Sequence, residues 1–384
     1  MGSSRASYLP STPFRFGCLI CLDNQTGTNS ASSSSALADL KACPLRSVLP
    51  QQPCGAQVDA VGPVDCIYNS GVRNATVLLG ELLHRNMQCH FLNMPTNSGK
   101  TVLITGCSAG GIGSALAQAF HDQGCRVFAT ARALPKIAHL RDMGIDVLQL
   151  DVEDAASIAS AVDRVGVATE GTLDLLVNNA GLGQSGPIID SNLADSRKMF
   201  EVNFFGRVAT TQAFAPLLIK AKGTIVNIGS IAGVCPQPWK GMYNASSAAV
   251  HQWSDTLRIE LEPFGVRVVL VVTGAVRTNF LTNQAGAKVA SDSIYAPAKE
   301  SIESAMNGKS VDKNFVDAHG YAREVVANVL RKHPVKRHWA GGVARLIWAV
   351  SVALWATAWD FLLAEQFAIN ELRKRLALKN VAEQ

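Results

Sequence analysis

From residue 101 onward the apolar positions fall into two alternating kinds of segment. "TVLIT" (101–105), "RVFATA" (126–131), "DVLQLDV" (146–152), "LDLLVNNAG" (173–181), "GTIVNIGS" (223–230) and "VRVVLVVTG" (266–274) are short, nearly continuous apolar runs. Between them the apolar residues recur at three- and four-residue spacing, in "SALAQAFHDQG" (114–124) and over 155–165, 192–221 and 244–262. The runs read as strands buried on both faces, the spaced segments as amphipathic helices. Strands alternating with helices predict an α/β fold: one domain built on a parallel, doubly wound sheet of Rossmann type.

The two ends depart from this pattern. Residues 1–93 contain "TGTNSASSSSA", scattered prolines and little periodicity, apart from one amphipathic stretch at 75–87. They are expected to be a disordered extension or a non-native upstream region, with a transit peptide as the rival reading, because early acids are scarce. Met94, in "MPTNSGKTVLITG", reads as a start immediately before the first strand. The domain is therefore placed at 94–340. Residues 280–320 are small and polar with helical hints, as suits a lid. Residues 341–384 form a third part, an apolar and basic tail. Its "LIWAVSVALWATAW" (346–359) has 14 residues without a charge. As one helix this spans about 21 Å, short of a hydrocarbon core of about 30 Å. Trp348, Trp355 and Trp359 would then share one face. Lys336 and Arg337 precede it, and Arg373, Lys374 and Arg375 follow. The expectation is a helix lying in a membrane surface, the rival a helix packed on its own domain or on a second copy.

Composition narrows the function. A chain of 384 residues that is 48% hydrophobic can bury a sizeable core. Its net charge of +5 is spread out, without a basic run interleaved with aromatics, so nucleic acid is a poor partner. Cys18 and Cys21 make one CxxC, no second pair follows at zinc spacing, and no metal is expected. Cys107, Cys125 and Cys235 read as buried reduced thiols, which suits a cytosolic setting.

The candidate chemistry lies at the strand ends. "TGCSAGGIG", Thr105 to Gly113, stands between a strand and a helix. Gly106, Gly110 and Gly113 there let backbone approach a pyrophosphate, and the helix starting near Ile112 offers it free N–H groups. After the second strand, Thr130 and Arg132 stand where a carboxylate would select NAD, so a 2′-phosphate and NADP are favoured. Asp151 follows the third strand, as an acceptor for an adenine amino group, as an N-cap, or as both. "NNAG", from Asn178, ends the fourth strand. Asn203, Ser230 and Tyr243 complete the set.

These motifs, in this order, resemble the short-chain dehydrogenase/reductase family over roughly residues 98–280. Within it, "VFATAR", "SDTLRIELEPFGVRV" and "VVTGAVRTN" resemble fungal reductases similar to NADPH-dependent 1-acyl dihydroxyacetone phosphate reductase, many of whose relatives look like tailoring enzymes of secondary metabolism. The resemblance implies that Tyr243 gives a proton to a ketone oxygen, that Ser230 orients that carbonyl, and that Asn203 holds a relay water. It also implies that Val276 and Thr278 sit beside the nicotinamide. The expected substrate is a lipid-like, polyketide or terpenoid ketone or the matching alcohol. The expected setting is cytoplasmic, peripheral on endoplasmic reticulum or lipid droplet through 341–384, with homo-oligomers as in relatives.

One position departs. Ser247, four residues after Tyr243, stands where the family has a lysine. That lysine hydrogen-bonds the cofactor ribose and lowers the tyrosine's pKa. A serine can keep the first role but not the second, and tuned acid–base catalysis is worth about 10²–10⁴-fold. Lys240 reads as a loop residue and His251 as a helix-surface histidine. The site is thus expected to bind NADP, with Ser247 contributing, and to reduce slowly. The alternative is a non-catalytic NADP(H)-binding protein.

Overall fold

The computed structural model describes residues 99–282, 287–307 and 314–382. All belong to one compact unit, Leu83–Gln384. The expectations for residues 1–93 and for Met94 lie outside the described residues.

Strands β1 (Thr101–Ile104), β2 (Arg126–Ala131), β3 (Asp146–Gln149), β4 (Leu175–Asn178), β5 (Thr224–Ser230) and β6 (Arg267–Thr273) fall within the six apolar runs. Two short strands follow, β7 (Val276–Arg277) and β8 (Val316–Asp317), and then β9 (Arg337–Ala340). The main sheet is parallel throughout, in the order β3-β2-β1-β4-β5-β6-β9. The order reverses beside β1, so the crevice between the C-terminal ends of β1 and β4 is where an open α/β sheet binds its ligand. β9, only four residues long and polar at its start, carries too weak an apolar pattern to be read from sequence.

Both faces of the sheet are covered, as the unbroken runs require. One face packs Val102, Ile104, Val127, Val226 and Val269 under α1 (Ile112–Asp122). The other packs Leu103, Leu176, Ile225 and Val268 under α2 (Ala155–Ala168) and its neighbours. Helix α2 shows how the sequence sets an element. Asp154 caps it by accepting the Ala156 N–H, and Ile158, Ala161 and Val165 make its buried stripe. The predicted helix over 192–221 is found with an insertion: α3 (Leu193–Phe200) runs through a π-helical turn, Glu201–Phe205, into α4 (Gly206–Ala221). Helix α5 (Gly241–Glu260) carries Tyr243.

The chain after β6 turns on two glycines whose backbones touch. A Cβ on Gly274 would stand 2.0 Å from the Gly342 carbonyl oxygen. Thr273 shares a 2.6 Å hydrogen bond with the Tyr321 hydroxyl of α7 (Ala318–Val329). The lid region contains α6 (Lys299–Met306).

The tail is a second departure from expectation. The single apolar helix is two: α8 (Ala344–Ala353) ends at Leu354, whose backbone is extended, and α9 (Ala358–Ala364) starts a new direction. Trp348 and Trp355 are exposed, whereas Trp359 is buried with Leu363, Phe367, Ile302 and Trp239. The break lets Trp359 enter that cluster, and it removes the common tryptophan face. A last helix, α10 (Ile369–Ala382), completes the tail. Among the described residues no helix is long and apolar enough to cross a membrane.

Candidate active site

One cavity of about 880 Å³ runs along the C-terminal strand ends. Its first part is made by backbone. Gly106 and Gly110 have φ of +75° and +71°, where a side chain is strained. A Cβ on Gly113 would stand 2.4 Å from the Gly106 carbonyl, so α1 lies directly on the turn. Gly111 caps α1 without a side chain and donates its own N–H to the Ser108 carbonyl, so the uncapped N–H groups of the helix begin at Ile112, in the cavity wall. This cradle fits a pyrophosphate by shape and by dipole. Asn279 holds it from outside, donating from its backbone to the Gly110 carbonyl and from Nδ2 to that of Ala109.

Arg132, Lys136, Asp151 and Glu153 line the adjoining end. Glu153 contacts Lys198 at 2.8 Å and Arg132 at 4.0 Å. Two cations thus offset the Glu153 carboxylate. Asp151 accepts the Glu153 N–H, and the helix cap is Asp154, so the capping role expected of Asp151 falls to its neighbour.

Gly110 and Gly113 shape the turn from behind the cavity wall, and two further expected cofactor residues also lie off it. Thr130 is fully buried and donates to the Ile104 carbonyl. Asn178 is fully buried and donates to Thr211 and Asn227 between the two strands and α4. Alternation along a strand explains the second case: Asn178 ends β4 facing inward, and the next residue takes the outward place. It is Asn179 that lines the cavity, donating to the carbonyls of Thr105 and Gly106 and so tying β4 to the glycine turn.

The second part of the cavity carries the acid–base groups. Asn203, Ser230, Tyr243, Ser247, Val276 and Thr278 all line it. The Ser230 Oγ accepts the Ala232 N–H at 3.1 Å, which fixes the oxygen and leaves its own hydrogen to donate. Tyr243 is half-buried at the start of α5, its ring 6.0 Å from that of Phe280. The Asn203 carboxamide accepts from the Leu182 N–H and donates to the Leu182 carbonyl and Ser246 Oγ. Its side chain braces the π turn against α5, with both Nδ2 hydrogens donated and one bond accepted at Oδ1.

The cations near Ser247 also differ from expectation. His251 is buried, not on the helix surface: it packs on Gly229 and Gly233 and meets Arg337 at 3.3 Å. Burial first, then Arg337 and Arg207, push it down to about 4. Lys240 is the N-cap residue of α5, lines the cavity, and has its ammonium pKa lowered by burial. A cation that sequence reasoning missed is Arg207 on α4, 7% exposed and in the cavity wall. The signal was present: an arginine four residues after Asn203, inside the apolar stretch "NFFGRVATTQAFA".

The third part is supplied by the lid and tail. Phe280, Met306, Leu346, Ile347, Leu363 and Phe367 make an apolar wall. The Trp239 Nε1–H donates to the Phe367 carbonyl, fastening that wall to the residue before Lys240. The tail is therefore part of the site.

Comparison with known proteins agrees with this geometry. The short chain dehydrogenase family model matches residues 100–288. The short-chain dehydrogenase ptmH of Penicillium ochrochloron is 45% identical over 67% of this chain and 92% of its own length. A short-chain dehydrogenase from Streptomyces avermitilis superposes with a TM-score of 0.58 at 28% identity, covering 72% of this chain and 98% of its own. One from Burkholderia cenocepacia, solved in complex with NADP, gives 0.55 at 25% identity over 70% and 99%. The chain belongs to the short-chain dehydrogenase/reductase family, and its fold is that of a nicotinamide-dependent oxidoreductase.

Proposed function

We propose that this protein is an NADPH-dependent reductase of a ketone carried on an apolar molecule, a lipid, polyketide or terpenoid. The observation that carries it is the single cavity joining an anion cradle, Ser230 with Tyr243, and the apolar wall of lid and tail. NADPH is favoured over NADH by Arg132 and Lys136 and by the two cations offsetting Glu153. Support comes also from the relative solved with NADP.

When bound, the dinucleotide supplies the hydride. The chain does the rest. Ser230 donates a hydrogen bond to the carbonyl oxygen and holds it toward Tyr243. Tyr243 donates its hydroxyl proton to that oxygen as negative charge develops there. The apolar wall excludes water from the reacting carbon.

A second reading, a cofactor-binding protein without turnover, is favoured by Ser247 alone. NADPH oxidation against a panel of apolar ketones separates the two: consumption with at least one ketone supports the reductase, while tight NADPH binding with no consumption across the panel supports the other. Leu346, Trp348, Val352, Trp355 and Phe361, all exposed on the tail, further suit contact with a lipid surface through which such a substrate would arrive.

A further inference from the structure

Arg207 is a buried guanidinium that meets no carboxylate among the described residues. Its Nη1 donates to the Ile228 carbonyl at 2.6 Å and its Nη2 to the Ala180 carbonyl at 3.2 Å. Its Nε is buried without a partner among the described residues. An unpaired buried charge is costly. Burial pushes this one down to about 10, which still leaves it charged at neutral pH, and Tyr243 acts in the opposite direction.

Its position can be read from its neighbours. The two carbonyls it holds belong to the ends of the strands that carry "NNAG" and Ser230. Asn203, in the π turn that leads into α4, bonds Ser246 of α5, one residue before Ser247. Arg207 shares the cavity wall with Tyr243 and Ser247, and Ile228, whose carbonyl it holds, precedes Gly229, on which His251 packs. Tyr243 and His251 are four before and four after Ser247. The guanidinium thus reaches the end of β5 from α4, in the same cavity as residue 247 of α5.

We propose that Arg207 is the cation of this active site, replacing from α4 the charge that Ser247 lacks on α5. It acts through Tyr243 as a positioning residue. In reduction the carbonyl carbon receives hydride, the carbonyl π pair moves to oxygen, and the Tyr243 O–H bond breaks to protonate that oxygen. The bonding pair stays on the phenolate, which Arg207 stabilises until solvent returns a proton. The other charged groups about the pair are Lys240 in the turn before α5, and His251 with Arg337 and Asp255 beyond it. His251 is neutral above about pH 4, so the contest lies between Arg207 and Lys240.

This inference rests on the reductase reading, and its test is separable from it. Tyrosinate formation is followed by ultraviolet difference absorbance without cofactor, with Tyr243→Phe subtracted. It is measured in the parent, Arg207→Lys, Arg207→Gln, Arg207→Gln/Ser247→Lys and Lys240→Met. In general, losing an opposite charge within about 4–6 Å moves a titration by about one to three pH units. Arg207→Gln is expected to raise the Tyr243 titration by that amount, Ser247→Lys to bring it back, and Arg207→Lys to leave it near the parent. An unmoved titration in a folded Arg207→Gln protein, or a rise in Lys240→Met instead, overturns the assignment. If Arg207→Gln does not fold, Ser247→Lys in the parent decides. With Arg207 already supplying the charge, a second cation should gain less than about tenfold in ketone turnover and should lower the melting temperature. A gain of about 10²-fold or more, the scale of a restored acid–base group, overturns the proposal. Should the titration behave as expected while no ketone is reduced, the reductase reading fails and the Arg207 assignment stands.

Discussion

The two ends of the cavity are built from different materials. At the phosphate end the chain offers backbone: Gly106 and Gly110 at positive φ, Gly113 pressed on the Gly106 carbonyl, and the uncapped start of α1. At the carbonyl end it offers side chains from three segments, Ser230, Tyr243 and Arg207, each held by a bond or by packing. A backbone site has no substitute for its glycines, since any Cβ collides. A side-chain site can move one charge from one helix to the next and keep the field at the reacting atom. That is how a family motif is intact at one end and altered at the other.

The largest effect is expected at the carbonyl end. Tyr243→Phe should lower kcat for ketone reduction by about 10²–10⁴-fold while leaving NADPH affinity within about twofold. Steady-state kinetics with cofactor titration check both, and an equal loss of cofactor binding would show that the two ends are not separable. Next comes Arg132→Ala, which removes a charge-assisted pair with a 2′-phosphate worth about 1.5–3 kcal/mol. NADPH should bind roughly 10- to 100-fold more weakly and NADH unchanged; equal parent affinities for the two would remove the NADPH assignment. Gly113→Val should destabilise the fold by about 1–3 kcal/mol through overpacking at the turn and weaken both cofactors alike. Urea melts and titrations would reveal a tolerated side chain there, contrary to the distinction drawn above.

A smaller effect comes from pH. His251 and His338 are each held down to about 4, by burial first and then by nearby arginines, against an ordinary value near 6.5. The unfolded chain therefore binds protons that the folded one refuses. Stability is fully present above about pH 6.5 and is lost as pH falls toward 4. Each histidine contributes at most about 1.4 kcal/mol per pH unit in that window. Melting temperatures across that range should fall, and less steeply in His251→Gln; a flat profile would contradict the burial of both rings. The smallest effect is on the tail. Trp348→Ser/Trp355→Ser should reduce flotation with phosphatidylcholine vesicles several-fold without changing NADPH binding. Undiminished flotation would take the exposed tail residues out of the lipid contact.

The difference between the two ends also governs what the sequence makes legible. The glycine turn, the six strands and Tyr243 are local: their spacing is fixed by one strand–turn–helix unit, and a single chain displays it. Asn178 was assigned to the cavity because a motif does not say which of two adjacent residues faces out; strand alternation gives that place to Asn179. His251 was placed on the surface because the helix period shows which residues share a face but not what lies opposite. Arg207 went unread for a related reason. Its meaning depends on the π turn at the start of α4 packing against α5, a contact between segments about 40 residues apart. The tail failed differently: its apolar run was legible, but its break at Leu354 follows from the demand of a distant cluster for Trp359.

The bond from Trp239 to the carbonyl of Phe367 bears on the order in which the protein is made. The wall at Leu346, Ile347, Leu363 and Phe367 leaves the ribosome long after Ser230 and Tyr243. At a synthesis rate of about 5–20 residues per second, the delay is on the order of ten seconds. During that interval the sheet from β1 to β6 has everything required to pair, and the nucleotide cradle is whole, but the ketone pocket lacks one side. The nascent chain can thus be ready for its cofactor before it is ready for its substrate. The bound nucleotide, by favouring the folded form, would act on the growing protein as its first folding partner.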